Sequence, residues 1–156
     1  MAVSKSTSSL HEVVQKMEYY CSYQERCHTE VTQKLYGFLL TALERDEVIV
    51  HLIEHNFLNE ERFAKTYALS KFHQKKWGKL RISNELKQRQ LSAYLIKIGL
   101  QEIPDNEYEA TFATLAEKTW DAIGEKNTLK KRKKFCDILL RKGWESDAIY
   151  TIVKKF

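Results

Sequence analysis

NEERFAKTYALSKFHQKKWGKLRISNELKQRQLSAYLIKIGLQEIP, residues 59–104, carries the signals of three successive helices and almost none of a strand. Asn59 stands where a helix N-cap belongs, because its short side chain can accept a backbone N–H that the first turn leaves orphaned. Behind it Phe63, Ala64, Tyr67 and Ala68 recur at helical spacing, and Gly78 is predicted to stop the run. A second helix is predicted over 80–90, with Ile82 and Leu86 on one stripe, and a third over 92–102, capped by Ser92. Pro104-Asp105 then punctuates the chain. The middle helix is basic, holding Arg81, Lys87 and Arg89 against the single acid Glu85, with Lys79 just ahead of it.

The same order of elements extends to either side. Ser9 and Glu12 have capping-box spacing ahead of Leu10, Val13, Val14, Met17 and Tyr20, which predicts a helix ending near Gln24. Helices are also predicted over 29–38 and 46–56. After Pro104 a seventh bears Tyr108, Phe112, Leu115 and Ile123. Thr128 is predicted to cap an eighth with Phe135, Ile138 and Leu139, ending at Gly143, and Ser146 a ninth with Ile149, Ile152, Val153 and Phe156. Nine helices at a period of about fifty residues predict an all-α fold of three tandem three-helix repeats, stacked into an elongated, curved body. The expected units are 9–57, 58–103 and 104–156, one helical repeat domain over 9–156, behind a disordered tail at 1–8.

Composition agrees with this class. One proline and five glycines in 156 residues disfavour turn-rich β architectures. A chain of this size can bury roughly 70% of its unfolded surface in one domain. No stretch approaches the roughly 20 apolar residues of a membrane span, and the polar N-terminus does not resemble an export signal, so a cytoplasmic monomer is expected. Three cysteines, Cys21, Cys27 and Cys136, are an odd number in a chain that needs no staple, and reduced thiols follow. Cys21 with Cys27-His28 lacks the spacing and the second half of a zinc finger.

Catalytic signatures are few. Walker, dinucleotide-binding and nucleophile-elbow motifs are absent. His51, Glu54 and His55 match H-x-x-E-H, with two imidazoles one helical turn apart, but no third ligand is evident and polar-face histidines are the simpler reading. No cofactor, metal or catalytic residue is expected.

Charge is segregated. Residues 71–97 hold eight Lys or Arg against Glu85, residues 126–142 hold eight against Asp137, and the rest of the chain is net acidic, notably over 44–61 and 101–125. Solvated Lys-rich faces are common, yet a surface built for solubility mixes signs, whereas like charges crowded together repel unless a polyanion neutralises them. The expected binding strip is Lys75, Lys76, Lys79, Arg81, Lys87 and Arg89 with Lys130, Lys131, Arg132, Lys133 and Lys134. Trp77, at a helix end among these bases, is the candidate for stacking on an unpaired base.

Four blocks in order resemble the RecX family of bacterial regulators of the RecA recombinase. Leu58, Asn59, Glu60, Arg62, Phe63 and Ala64 meet L-[DN]-[DE]-x-[RK]-[FY]-A, and Gly78, Arg81, Ile82, Glu85, Leu86 and Arg89 meet G-x-x-[RK]-I-x-x-E-L-x-x-[KR]. Upstream the similarity runs through Arg26, Thr29, Glu30, Lys34 and Leu35, and downstream Leu139, Lys142, Gly143 and Trp144 resemble the family's L-x-x-[KR]-G-[FYW] ending. Asn59 departs from the commoner acid, and Gln90 stands where the family often has glycine. The resemblance implies a non-enzymatic inhibitor that lies in the groove of the RecA filament on single-stranded DNA and restrains ATP hydrolysis, strand exchange and coprotease activity in DNA repair and the SOS response. The acidic faces would then meet basic recombinase surface. The alternative is a protein that coats single-stranded nucleic acid directly, with no recombinase partner.

Overall fold

The computed structural model describes residues 8–156, and among them lie nine α-helices and no strand. They are α1 Leu10–Tyr23, α2 His28–Leu35, α3 Ala42–Glu54, α4 Glu60–Lys75, α5 Lys79–Gln88, α6 Ala93–Gln101, α7 Asp105–Ala122, α8 Thr128–Arg141 and α9 Ser146–Val153. The disorder expected of residues 1–8 falls, apart from Ser8, outside the described residues. None of the described helices is long and apolar enough to cross a membrane. The chain divides into two compact units, one running to Phe63 and taking in Arg89–Leu91, the other made of Ala64–Gln88 and Ser92–Phe156.

In the first unit α3 packs against both α1 and α2. Val13, Met17 and Cys21, spaced by four along α1, meet Val31, Leu35, Val48 and Leu52 in a core that Phe38 and Leu58 close. Ser9 caps α1 by accepting the Glu12 N–H at 3.2 Å. The start of α3 differs from the sequence reading: it begins at Ala42, and Thr41 with Glu44 forms a full capping box, both arms present. Thr-Ala-Leu-Glu carries the S/T-x-x-E signal, but the acidic residues that follow at Asp46 and Glu47 draw the predicted boundary downstream. The far end closes as a Schellman motif with Asn56 at φ 60°, where Phe57 N–H reaches the Leu52 carbonyl at 2.8 Å and Asn56 N–H the Ile53 carbonyl at 3.1 Å. Arg62 ties the next turn down, donating Nε to Glu25 at 2.6 Å and Nη2 to the Asn56 carbonyl at 3.0 Å.

The second unit is centred on aromatic rings. Trp144 is 1% exposed, stacks on Tyr108 with centroids 4.5 Å apart, and touches Phe72 and Phe112 at a tilt. Asn59 caps α4 through Arg62 N–H and Ser92 caps α6 through Leu95 N–H, as the sequence predicts. Two other caps are corrected. Asn127, not Thr128, accepts the Lys130 N–H at the head of α8, and Glu145 precedes α9 without a side-chain cap bond. Of the Asn-Thr pair the asparagine is the better capping residue, and at α9 Glu145 is held elsewhere, on Tyr108.

All three thiols are free, with Cys21 and Cys27 buried. Burial pushes the Cys21 thiol up to about 11.

Gln90 takes up the left-handed conformation, φ 61°, just past α5. An L side chain there costs about 1 kcal/mol that glycine avoids, less the chain entropy glycine loses on folding. Gln90→Gly is therefore expected to raise stability only slightly, by up to about 0.5 kcal/mol, measured as a higher urea midpoint at unchanged m-value.

Candidate nucleic-acid interface

The second unit's basic residues are organised by two glycines. A Cβ on Gly78 would lie 2.3 Å from the Gly143 carbonyl oxygen, and one on Gly143 would lie 2.3 Å from the Arg81 Cβ. Gly143 also sits at φ 89°, which an L side chain rarely adopts. The two backbones thus approach closer than any side chain permits. The sequence makes Gly78 the stop of α4; α4 in fact ends at Lys75 with Lys76 at φ 56°, and what excludes a side chain from position 78 is the crossing.

That crossing lays the amide end of α5 on the carbonyl end of α8. Gly78 N–H donates to the Lys142 carbonyl at 2.8 Å, and Leu80 N–H to the Gly143 carbonyl at 3.1 Å. Between them Lys79 N–H donates to Tyr108 Oη at 2.9 Å, whose own proton goes to the Glu145 carboxylate at 2.8 Å. Burial holds the Tyr108 hydroxyl well above the usual tyrosine range, and the adjacent carboxylate adds to this, so it stays a donor. Three orphan amides are satisfied with no N-cap side chain.

The crossing gathers bases. Arg81 Nη1 donates to the Arg141 carbonyl at 3.1 Å, Lys142 Nζ to the Lys75 carbonyl at 3.4 Å, and Trp144 Nε1 to the Lys76 carbonyl at 3.0 Å. Lys75, Lys76 and Arg81 therefore lie beside Arg141 and Lys142, two bases outside the predicted strip. Both fall inside the basic run at 126–142, but only the fold brings them to α5. Trp77 is half-buried, with the Arg81 guanidinium 4.2 Å and the Lys71 ammonium 5.3 Å from its ring centre.

The remaining predicted residues are placed differently. Lys79 and Lys87, eight apart, share a face of α5 with Ser83 and border a groove of about 580 Å³ whose apolar floor includes Ile96 and Leu100. Lys97, another base outside the predicted strip, lines the same groove, and Lys79 pairs there with Asp105 at 3.8 Å. Arg89 belongs to the first unit and pairs with Glu30 at 3.7 Å. The run from Lys130 to Lys134 occupies the opening turns of α8, about 15 Å along that helix from Arg141. Lys131 sits 4.4 Å over the Trp120 ring, Arg132 donates Nη2 to the Phe156 carbonyl at 2.8 Å, Lys133 pairs with Asp137 at 2.8 Å and Lys134 with Glu125 at 3.2 Å. Lys130 is exposed.

The H-x-x-E-H residues have other partners. His51 and His55 stack with centroids 4.1 Å apart, His51 Nε2 lies 3.4 Å from Glu18, and His55 Nδ1 lies 2.9 Å from the His51 carbonyl. Among the described residues no three His, Cys, Asp or Glu side chains are grouped to hold a metal.

Fold and side chains together define an all-α protein of short helical units whose bases gather at the α5–α8 crossing and at the opening of α8. The chain belongs to the RecX family: the pattern described as "RecX, second three-helix domain" matches residues 59–100. Regulatory protein RecX of Bacillus cytotoxicus is 28% identical over 130 residues, 83% of this chain and 48% of that protein. Its counterpart in Lactobacillus gasseri is 30% identical over 106 residues, 68% of this chain and 39% of that protein. The chain thus spans about half the length, or less, of these relatives. The crystal structure of RecX from Lactobacillus salivarius superposes with a TM-score of 0.79 at 25% identity, covering 94% of this chain and 95% of that one. A second crystal structure, of a regulatory protein RecX at 18% identity, shares the fold with a TM-score of 0.82 over 94% of this chain and 73% of that one.

Gly78→Ala and Gly143→Ala are each expected to cost about 3 kcal/mol, because the added methyl meets backbone that cannot give way. Tyr108→Phe should cost about 1–3 kcal/mol by stranding the Lys79 amide and the Glu145 carboxylate. Urea unfolding followed by circular dichroism measures both, and a loss below about 0.5 kcal/mol at Gly78 contradicts the crossing's role.

Proposed function

We propose that this protein regulates a RecA recombinase by binding the recombinase filament on single-stranded DNA, lowering its ATP hydrolysis, strand exchange and coprotease activity without catalysing a reaction itself. The observation that carries this reading is the basic second unit, where Lys75, Lys76 and Arg81 meet Arg141 and Lys142 at one crossing and Lys130 to Lys134 continue along α8. Membership of a family whose named relatives are regulatory proteins supports it. Guanidinium forks at Arg81 and Arg141 suit bidentate contact with phosphate or filament carboxylates, while the lysines act as point charges. No metal or cofactor is needed for such a role.

The test is the single-stranded-DNA-dependent ATPase of the cognate recombinase, titrated with this protein. Inhibition is expected at amounts far below those that coat the DNA; inhibition that appears only when the DNA is saturated overturns the filament reading in favour of direct coating. Replacing Lys130, Lys131, Lys133 and Lys134 with alanine is expected to weaken inhibition and to flatten the salt dependence of binding. For every phosphate that the variant no longer neutralises, the slope of log K against log salt becomes shallower by about 0.7 on a single strand. An unchanged slope removes that run from the interface.

A further inference from the structure

We propose that the first unit carries a separate stacking site for unpaired bases of single-stranded nucleic acid, built on Tyr19 and Tyr23 of α1. This goes beyond the filament reading and does not rest on it. The two rings stand one helical turn apart and are 71% and 72% exposed, more than any other tyrosine of the first unit. They line a groove of about 830 Å³ together with Tyr20, Lys16, Arg26 and Lys34, and Glu12 is the one acid at its edge.

The cations are held in place. Arg26 lies 3.7 Å from the Tyr20 ring centre and donates Nε to the Tyr20 carbonyl at 3.1 Å. Lys34 sits 5.5 Å from the same ring, and Lys16 is 5.7 Å from that of Phe38. Positive charge is thus fixed along a tyrosine-lined channel, the combination that grips a sugar-phosphate backbone while rings receive bases. The Tyr19 and Tyr23 ring centres are 6.4 Å apart and tilted by 36°. Twice the ~3.4 Å rise between stacked bases is close to this spacing, so a small rotation of either ring admits one base between them. An acidic peptide would satisfy the cations and leave both exposed tyrosine faces unused.

No charge run marks this site in the sequence. Lys16, Arg26 and Lys34 alternate with Glu18, Glu25 and Glu30, and folding turns the cations toward the groove while Glu18 meets His51 and Glu25 meets Arg62; Glu30 stays with Arg26, at 3.9 Å.

The experiment compares binding of the full chain to labelled oligo(dT) and to an abasic deoxyribose-phosphate strand of equal length, by fluorescence anisotropy. The wild type is expected to prefer oligo(dT). Tyr19→Ala with Tyr23→Ala should weaken oligo(dT) binding by roughly 5- to 150-fold per ring engaged and leave the abasic strand unaffected. Tyr19→Phe with Tyr23→Phe should restore the preference, and 5-bromodeoxyuridine in the oligonucleotide should photo-crosslink to the α1 peptide. Equal binding of both strands by the wild type overturns the site, as does an alanine variant that keeps the preference or loses both strands alike. Loss of binding to poly-glutamate in step with oligo(dT) also overturns it, in favour of an acidic peptide. The alanine run at Lys130 to Lys134 should weaken both strands by the same factor, which keeps failure here distinct from failure of the basic second unit.

Discussion

Everything in the second unit depends on the contact between Gly78 and Gly143. Only two residues without side chains let the first amides of α5 reach the last carbonyls of α8, and the hydrogen bonds from Gly78 and Leu80 then stand in for the side-chain cap that α5 lacks, while α8 closes on Gly143 in a Schellman motif. The ends also carry opposite partial charge, about half an elementary unit each, so the meeting is favourable electrostatically as well as sterically. Tyr108 completes the arrangement: its ring packs on Trp144 and its hydroxyl links the Lys79 amide to Glu145 at the head of α9. One crossing thereby fixes α5, α7, α8 and α9.

Periodicity makes most of the fold legible. Ser9, Asn59 and Ser92 cap the helices they precede because each is a short polar side chain directly before the first apolar-periodic turn. At Asn127-Thr128 the stronger capping residue prevails, whereas at Glu145-Ser146 local preference favours the serine and the helix nevertheless begins on it, with Glu145 held on Tyr108. Gly78 is visible as a helix stop, but a stop and a close approach leave the same glycine in a sequence, and its partner Gly143 lies in a distant part of the chain. For the same reason Arg141, Lys142 and Lys97 can be counted within basic runs but not placed beside Lys75, Arg81 or Lys87. The tyrosines of α1 are hidden more thoroughly, since the acids interleaved with the cations cancel the charge along the chain and only the fold draws Glu18 away to His51 and Glu25 to Arg62.

The two basic groups of the second unit differ in how the protein tolerates them. At the crossing, cations sit where helices end: Arg81 binds the Arg141 carbonyl at the close of α8, and Lys142 binds the Lys75 carbonyl at the close of α4. Positive side chains at carbonyl termini are stabilised by the helix dipole, typically by about 0.3–1 kcal/mol each. This cluster is therefore compatible with a stable protein in the absence of any ligand, and its charge is no evidence of strain.

Lys130 to Lys134 stand at the opposite end of α8, where the dipole is itself positive and no acid occupies the first turn. Of these five, acids pair with Lys133 and Lys134, while Lys131 rests on Trp120 and Arg132 on the Phe156 carbonyl. Both ion pairs are largely solvent-exposed and so worth little. Repulsion among neighbours and with the helix end is thus offset only in part there. A polyanion bound at this run relieves a cost the free protein carries, whereas one bound at the crossing competes with carbonyls already in place. Of the two groups, the opening of α8 is the one with the less favourable electrostatics in the free protein.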